Sequence, residues 1–259
     1  MSRFLTLVYG LVAYVAFLAA FLYAVGFIGG FIVPKDIDSG GGAPLNEALV
    51  VNIALLGLFG IQHSVMARQW FKRWWTTVIP PQVERSTFVL LTSIILGLLY
   101  WQWRPIPTVI WEVQDFVPSL AIWSLFAFGF IVVLLSTFVI DHFDLFGLRQ
   151  VVLHALGRPY TPPTFRVSAF YKHVRHPLML GFVVTFYATP HMTVGHLLFA
   201  LVTTTYILVA IQLEERDLAA LHGSDYLEYR RRVPMLVPFL GKEAPEAREA
   251  AASARSASV

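Results

Sequence analysis

Residues 171–177, with the sequence YKHVRHP, carry the polar groups needed to hold a charged ligand. Proline is favoured in the first turn of a helix, and the free backbone N–H groups of that turn attract a carboxylate or phosphate. A glycine one turn later would let another group approach the backbone closely. Alternatively, the basic residues only anchor a helix at the membrane surface. The candidate ligand-binding residues are His173, Arg175, His176, Pro177 and Gly181.

A second polar segment begins with two adjacent acids, Glu214 and Glu215, after a long apolar stretch. Cations suit the C-terminus of a helix better than anions do, so two carboxylates there predict a bound ammonium or ribose hydroxyl, unless the helix continues into water. Tyr226 and Tyr229 share a helix face and, with Arg230, could close over a planar or cationic ligand. An interfacial aromatic belt is the alternative.

The third segment combines a histidine with two carboxylates and a guanidinium: Asp141, His142, Asp144 and Arg149. Histidine and carboxylate side chains can accept a proton, and a guanidinium can stabilise negative charge. We interpret His142 and Asp144 as a proton-accepting pair, with Asp141 and Arg149 beside it. The alternative is a capped loop whose polar side chains face lipid headgroups.

Gln62 and His63 lie inside an apolar stretch, where polar side chains are costly and often functional. They are candidate substrate contacts, and His63 is a further candidate proton acceptor beside His142, Asp144 and Asp141, although an interhelical hydrogen bond explains Gln62 and His63 about as well. The chain has no cysteine, which excludes thiolate metal sites and cysteine nucleophiles. No His-Glu-x-x-His motif is present, and we predict no metal.

The elements that position these residues are membrane helices. Hydrophobic residues make up 57% of the chain and charged residues 14%, against roughly 25% charged in soluble domains. A helix needs about 20 apolar residues to cross the hydrocarbon core. The stretches without Lys, Arg, Asp or Glu are 4–34, 48–67, 86–103, 116–140 and 176–213. The first four each predict one transmembrane helix, and we interpret the first as a membrane span, not a removed signal peptide.

The fifth stretch is too long for one crossing and slightly short for two. Pro190 predicts a break within it. We therefore predict a helical hairpin, with a short arm over 178–189 and a full arm over 193–213. The fold class is an all-α polytopic integral membrane protein with four transmembrane helices, a C-terminal helical hairpin and a cytoplasmic cofactor-binding region. Residues 1–241 form one domain, and residues 242–259, rich in Ala, Glu, Arg and Ser, form a disordered tail.

The distribution of basic residues sets the orientation. With the N-terminus inside, the outer loops carry Lys35 and Arg104, which leaves 17 of the 19 Lys and Arg residues on the cytoplasmic side. The three polar segments then share the cytoplasmic face of a bacterial-type inner membrane. The net charge of +3 reflects this orientation, and no nucleic-acid partner is implied.

The order Arg-His-Pro-x-x-x-Gly, hairpin, Glu-Glu and Gly-x-x-Tyr-x-x-Tyr resembles the membrane methyltransferases related to isoprenylcysteine carboxyl methyltransferase, over about 141–235. In that family the two motifs bind S-adenosylmethionine on the cytoplasmic side. The resemblance therefore implies this cofactor for the candidate ligand-binding residues. One departure is Met179, which stands where the family often has tyrosine.

Further segments narrow the resemblance. Residues 60–68 and 84–87 are similar to the NnrU-like branch of that family, and residues 141–150 to the methanethiol S-methyltransferases within the branch. Those enzymes make dimethyl sulfide from methanethiol, which implies a small thiol substrate, a lipid bilayer environment and no obligate protein partner. A lipid or prenylcysteine methyltransferase of the same superfamily and a non-enzymatic membrane protein are the alternatives.

Overall fold

The computed structural model describes residues 2–162, 167 and 169–238, and most of them lie in helices. The predicted tail, 242–259, lies outside the described residues, so the domain boundary at 241 stays a prediction. Two 3-10 turns cover Pro81–Val83 and Ala169–Lys172. The described α-helices are α1 (Arg3–Gly29), α2 (Leu45–Ala67), α3 (Gln69–Trp75), α4 (Glu84–Gln102), α5 (Phe116–Ile140), α6 (His142–Leu145), α7 (Leu148–Ala155), α8 (Pro177–Tyr187), α9 (Val194–His222) and α10 (Ser224–Arg232).

Five helical segments are long and apolar enough to cross a membrane: α1, α2, α4 with its preceding 3-10 turn, α5 and α9. Their outward faces are apolar, as at Leu22 and Phe128, which are 65% and 57% exposed within the protein. Such side chains avoid water only if they face lipid. The prediction of a predominantly helical, polytopic membrane protein is confirmed.

The fifth charge-free stretch contains two helices of unequal length. The first, α8, has 11 residues, about 17 Å of helix, and is too short to cross a bilayer. The second, α9, has 29 residues and continues past Glu214 and Glu215 to His222. The expectation that the two acids end the helix is therefore wrong, and the alternative, a helix that continues past them, is the one observed. The predicted arrangement of four transmembrane helices followed by a helical hairpin in the membrane stays a prediction.

A small sheet, absent from the sequence-based expectation, joins two of the connections. Strand β1 (Val109–Glu112) lies antiparallel to β2 (His191–Thr193). The sheet ties the α4–α5 connection to the turn between α8 and α9. At the same end of the bundle, Trp103 Nε1 donates to the carbonyl of the buried Ile37 at 3.0 Å. We call this the far end.

The opposite end, which we call the site end, carries the polar segments. Tyr9 of α1 is hydrogen-bonded to Thr87 of α4 at 2.9 Å, so the N-termini of these helices meet there. Arg68, just after α2, forms an ion pair with Asp217 of α9 at 2.9 Å. Because the helices alternate in direction, the ends of α2 and α9 and the starts of α1 and α4 are gathered at one end.

Helices α5 and α8 pack backbone to backbone through Gly129 and Gly181. A Cβ atom on Gly181 would lie 2.7 Å from the carbonyl oxygen of Gly129, and one on Gly129 would lie 2.8 Å from that of Gly181. Carbonyl groups of two helices cannot move aside as a flexible side chain does. The close approach that Gly181 permits is thus to α5, and it fixes the position of α8.

We predict that Gly129→Ala destabilises the protein by about 1–3 kcal/mol, because the added methyl group overpacks the contact between α5 and α8. The measurement is thermal unfolding of the purified protein in detergent. Gly97→Ala is the matched control, since Gly97 lies in α4 and has no atom within 4 Å of an added Cβ. Equal effects of the two substitutions would contradict this account of the packing.

Candidate functional site

A buried ion pair joins α8 to α9 at the site end. The Nε atom of Arg175 donates to Glu215 Oε1 at 2.7 Å, and the two side chains are only 11% and 6% exposed. His176 Nε2 lies 3.1 Å from the same oxygen. Carboxylates are rarely buried without a partner, because desolvation of an unpaired charge is costly. Arg175 and His176 together therefore permit Glu215 to sit inside the protein.

Arg175 also holds the last turn of α10 and the chain that follows it. Its Nη1 atom donates to the carbonyl oxygens of Val233, at 2.5 Å, and Arg230, at 3.1 Å. The backbone N–H groups of Arg175 and His176 donate to the carbonyls at positions 234 and 235, at 2.8 and 3.1 Å. As predicted, Pro177 occupies the first turn of α8. One guanidinium thus connects the start of α8, the end of α9 and the segment after α10.

The two adjacent acids have different environments. The Glu214 side chain is 46% exposed, and its Oε2 atom lies 3.7 Å from His176 Nδ1. Glu215 is committed to Arg175, whereas the Glu214 carboxylate remains accessible to a ligand. Of the two acids, Glu214 is therefore the better candidate for binding a cation that arrives from outside the protein.

Helix α10 places its two tyrosines differently. Tyr226 is 1% exposed and packs edge-on against Tyr229, with 5.9 Å between ring centroids. Tyr229 is half-buried, and its hydroxyl donates to the Tyr171 carbonyl oxygen at 2.7 Å. Burial raises the pKa of Tyr229 to about 12, so the hydroxyl stays protonated at neutral pH. An open groove lies beside Tyr229. The side chains of His173 and Arg230, which do not line this groove, are exposed.

The Asp141 segment forms its own hydrogen-bond network. Asp141 Oδ1 accepts the Asp144 backbone N–H at 3.1 Å and so caps α6, with an unusual backbone φ of 152°. Arg149 Nη1 donates to Asp144 Oδ1 at 3.1 Å, and Asp141 Oδ2 lies 4.0 Å away. The Tyr160 hydroxyl donates to the other Asp144 oxygen at 3.2 Å. The predicted proximity of Arg149 to both acids is present.

His142 is separate from that network. It is 3% exposed, with Nε2 hydrogen-bonded to the Tyr14 hydroxyl and Nδ1 to the Thr137 hydroxyl, both at 2.8 Å. Burial lowers the pKa of His142, so the ring is neutral at neutral pH. The predicted pairing of His142 with Asp144 is therefore wrong: each side chain is hydrogen-bonded to other residues.

A cavity of about 600 Å³ opens beside Asp141 and Asp144, and part of its lining was missed by the sequence reasoning. Arg85 is the clearest omission. Its Nε atom donates to the Leu145 carbonyl at 2.7 Å, and its guanidinium lies 5.1 Å from the centre of the Phe88 ring. A cation in the first turn of a helix is unfavourable. The position of Arg85 at the start of α4 was therefore the feature of the sequence that could have identified it as a site residue. Lys72 and Tyr160 line the same cavity.

Gln62 and His63 lie near the site end of α2. Gln62 accepts from the Thr92 hydroxyl at 3.3 Å and donates to the Met66 sulfur at 3.1 Å. This is the interhelical hydrogen bond that was the alternative to a substrate contact. The His63 ring instead packs against aromatic rings, and its Nδ1 atom is buried with no hydrogen-bond partner in the described part of the chain.

Comparison with known proteins identifies close relatives. The chain is 57% identical to methanethiol S-methyltransferase of Mycobacterium tuberculosis over 239 residues, covering 92% of this chain and 98% of the relative. It is 54% identical to the enzyme of the same name from Crocosphaera subtropica, covering 94% and 95% of the two chains. Nurim of Bos taurus is 31% identical over 184 residues, covering 68% and 70%. No family model and no solved structure matches.

The fold and the polar site end define the class: a helical integral membrane protein with a cluster of charged side chains at one end of its bundle. With more than half of the residues shared over almost the full length of its relatives, the chain belongs to the methanethiol S-methyltransferase family.

We predict that Glu215→Ala destabilises the fold by about 3–5 kcal/mol, because it leaves Arg175 buried without its carboxylate. Glu214→Ala is the matched control at the neighbouring position and should change the free energy of unfolding by less than about 1 kcal/mol, since this carboxylate is half-exposed. Thermal or denaturant unfolding in detergent measures both. A larger loss from Glu214→Ala would contradict the assignment of Glu215 as the internal partner.

Proposed function

We propose that this protein transfers a methyl group from S-adenosylmethionine to methanethiol and produces dimethyl sulfide. The observation that carries the proposal is the 57% identity, over 98% of its length, to a relative named methanethiol S-methyltransferase. The chemistry of the site end supports a donor that carries an ammonium and a carboxylate. S-adenosylmethionine, when bound, supplies an electrophilic methyl group on a sulfonium.

The residues at the start of α8 and in α9 fit the amino acid part of this cofactor. We assign Glu214 to the ammonium, because its carboxylate is accessible while that of Glu215 is occupied. The cofactor carboxylate would lie at the start of α8, where the N–H groups of the first helical turn favour an anion, while His176 stays bonded to Glu215 and orients this turn. Arg175 and Glu215 then serve as the frame that keeps these groups in place.

The adenosine part fits the region around α10. We assign it to the groove of about 340 Å³ beside Tyr229, where Lys172 and Asp225 offer polar groups for ribose and base. The exposed side chains of His173 and Arg230 lie on adjacent segments and would add further polar contacts. Tyr226, which is fully buried, supports Tyr229 from behind.

We assign the thiol to the apolar side of the site, near Gln62 and His63. Gln62 already bridges α2 and α4, so its part is to fix the spacing of these helices. Asp141 and Asp144 line the polar cavity and pair with Arg149, and His142 holds the end of α5 against α1 through Tyr14. We assign these residues to positioning the site, where two carboxylates and one guanidinium leave a net negative charge that suits a sulfonium.

We place the site end in the cytoplasm. Arg68, Lys72, Arg85 and Arg175 all lie at that end, whereas the far end has Lys35 and Arg104, and basic residues favour the cytoplasmic side of a membrane. This orientation gives the proposed cofactor site access to soluble S-adenosylmethionine. Methanethiol is small and apolar enough to arrive through the bilayer.

The orientation can be tested by cysteine labelling, because the natural chain has no cysteine. We expect Gly41→Cys, at the far end, to react with a membrane-impermeant maleimide in intact cells. Ser224→Cys, at the start of α10, should react only after lysis. Both positions are exposed, so accessibility within the protein is matched. The opposite labelling pattern would place the site end outside the cell and contradict the proposed orientation.

The activity test is production of dimethyl sulfide, measured by gas chromatography, from purified protein with S-adenosylmethionine and methanethiol. Glu214→Ala should weaken cofactor binding in calorimetry by about tenfold or more, because a charge-assisted hydrogen bond is worth roughly 1.5–3 kcal/mol. Glu47→Ala is the control: its carboxylate is similarly exposed, at 51%, but lies at the far end beside Arg104. It should bind the cofactor as the unchanged protein does.

The outcomes separate the alternatives. Cofactor binding without dimethyl sulfide would keep the methyltransferase class and direct the search to lipid or prenylcysteine acceptors. An absence of any S-adenosylmethionine binding would contradict the cofactor proposal. Unchanged binding by Glu214→Ala would move the ammonium site to another acid.

A further inference from the structure

His63 has an unusual environment for a histidine inside a membrane protein. Its Nδ1 atom is buried without a hydrogen-bond partner in residues 2–162, 167 and 169–238. The ring stacks on Phe59, with 5.4 Å between centroids, and lies 4.9 Å from the ring of Phe88. Buried polar atoms are nearly always hydrogen-bonded, so an orphaned ring nitrogen calls for a partner that arrives from elsewhere.

The other enclosed histidines do not share this feature. Both ring nitrogens of His142 are bonded to hydroxyl groups. His176 contacts Glu215, and His196 Nε2 contacts the Phe186 carbonyl oxygen at 3.0 Å. These three rings are held by partners within the fold and have structural explanations. Within the described part of the chain, the Nδ1 atom of His63 is left without a hydrogen-bond partner.

The surroundings of His63 match a small thiol. Phe59 also contacts Tyr206 of α9, with 5.8 Å between ring centroids, and the Tyr206 hydroxyl lies 3.4 Å from Ser64 Oγ. Aromatic rings pack favourably against sulfur and methyl groups. Aromatic rings around a single unpaired nitrogen offer apolar contact plus one hydrogen-bond position. Methanethiol carries the complementary groups: one methyl group for the apolar contact and one weak S–H donor for the nitrogen.

The location of this aromatic cluster also fits the proposed reaction. Tyr206 precedes Glu214 by eight residues on α9, about 12 Å along the helix axis, so the cluster lies on the membrane side of the assigned cofactor site. A thiolate is the nucleophilic form of a thiol, so a thiol bound beside these rings needs a proton acceptor.

We infer that His63 is the proton acceptor for the thiol, and that Phe59, Phe88 and Tyr206 form the thiol pocket. The inference rests on the proposed function. The S–H bond of methanethiol breaks and its proton bonds to Nδ1, while the electron pair stays on sulfur. That sulfur forms a bond to the transferred methyl group as the bond from methyl to the sulfonium breaks. The products are dimethyl sulfide, S-adenosylhomocysteine and an imidazolium that returns its proton to water.

The test compares two acceptors of different acidity in His63→Gln. Hydrogen sulfide is smaller and more acidic than methanethiol and is already ionised at mildly alkaline pH, so it does not need the base. We expect kcat, measured as S-adenosylhomocysteine formation, to fall about 100-fold or more with methanethiol, and by less than about tenfold with hydrogen sulfide. His142→Gln is the control, because loss of a structural histidine should lower both rates by the same factor.

A second measurement does not depend on turnover. Methanethiol added to the protein with the unreactive analogue sinefungin should show the ultraviolet absorbance of a thiolate in the unchanged protein, but not in His63→Gln. Calorimetry with sinefungin confirms that the variant is folded. Equal rate losses with both acceptors, or a thiolate band that is absent from the unchanged protein or persists in the variant, would overturn the inference. Failure of the proposed function is distinct: the unchanged protein would then methylate neither acceptor.

Discussion

The buried ion pair between Arg175 and Glu215 is the interaction on which the site end depends. An isolated carboxylate at this depth would be driven to the surface or to its neutral form, so α9 can pass through the site only because Arg175 meets it. The position of this guanidinium is further restricted, because it also donates to one carbonyl group in the last turn of α10 and to one just after the helix. A single planar cation with several donors therefore sets the relative positions of α8, α9 and α10.

Helix packing supplies the second constraint. Because α8 is too short to span a bilayer, it cannot be positioned by the membrane and must be held by its neighbours. The contact between Gly129 and Gly181 brings its backbone against α5, and the ion pair holds its N-terminus against α9. Polar chemistry at one end and close apolar packing along the side thus give the first turn of α8 a defined position beside Glu214.

Features encoded by neighbouring residues could be predicted from the sequence, whereas features that join distant residues could not. The apolar spans follow from charge-free stretches of sufficient length, and Pro177 marks the start of α8 because proline suits a first turn. The partners of His142 are Tyr14 and Thr137, and Tyr14 lies 128 positions away, so no local pattern indicated that its ring nitrogens were taken. The β1–β2 sheet and the pairing of Arg175 with Glu215 were hidden for the same reason.

The choice between Glu214 and Glu215 shows how the fold resolves what the sequence leaves open. Successive residues of an α-helix point about 100° apart, so two adjacent acids cannot both be buried against Arg175. Because α9 continues past them, one carboxylate must turn inward and the other toward the accessible side. The inward carboxylate needs a permanent cation, and Arg175 provides it. In the proposed cofactor site, the outward carboxylate would then exchange water for the cofactor ammonium without leaving a buried charge unpaired, which makes reversible binding compatible with a stable fold.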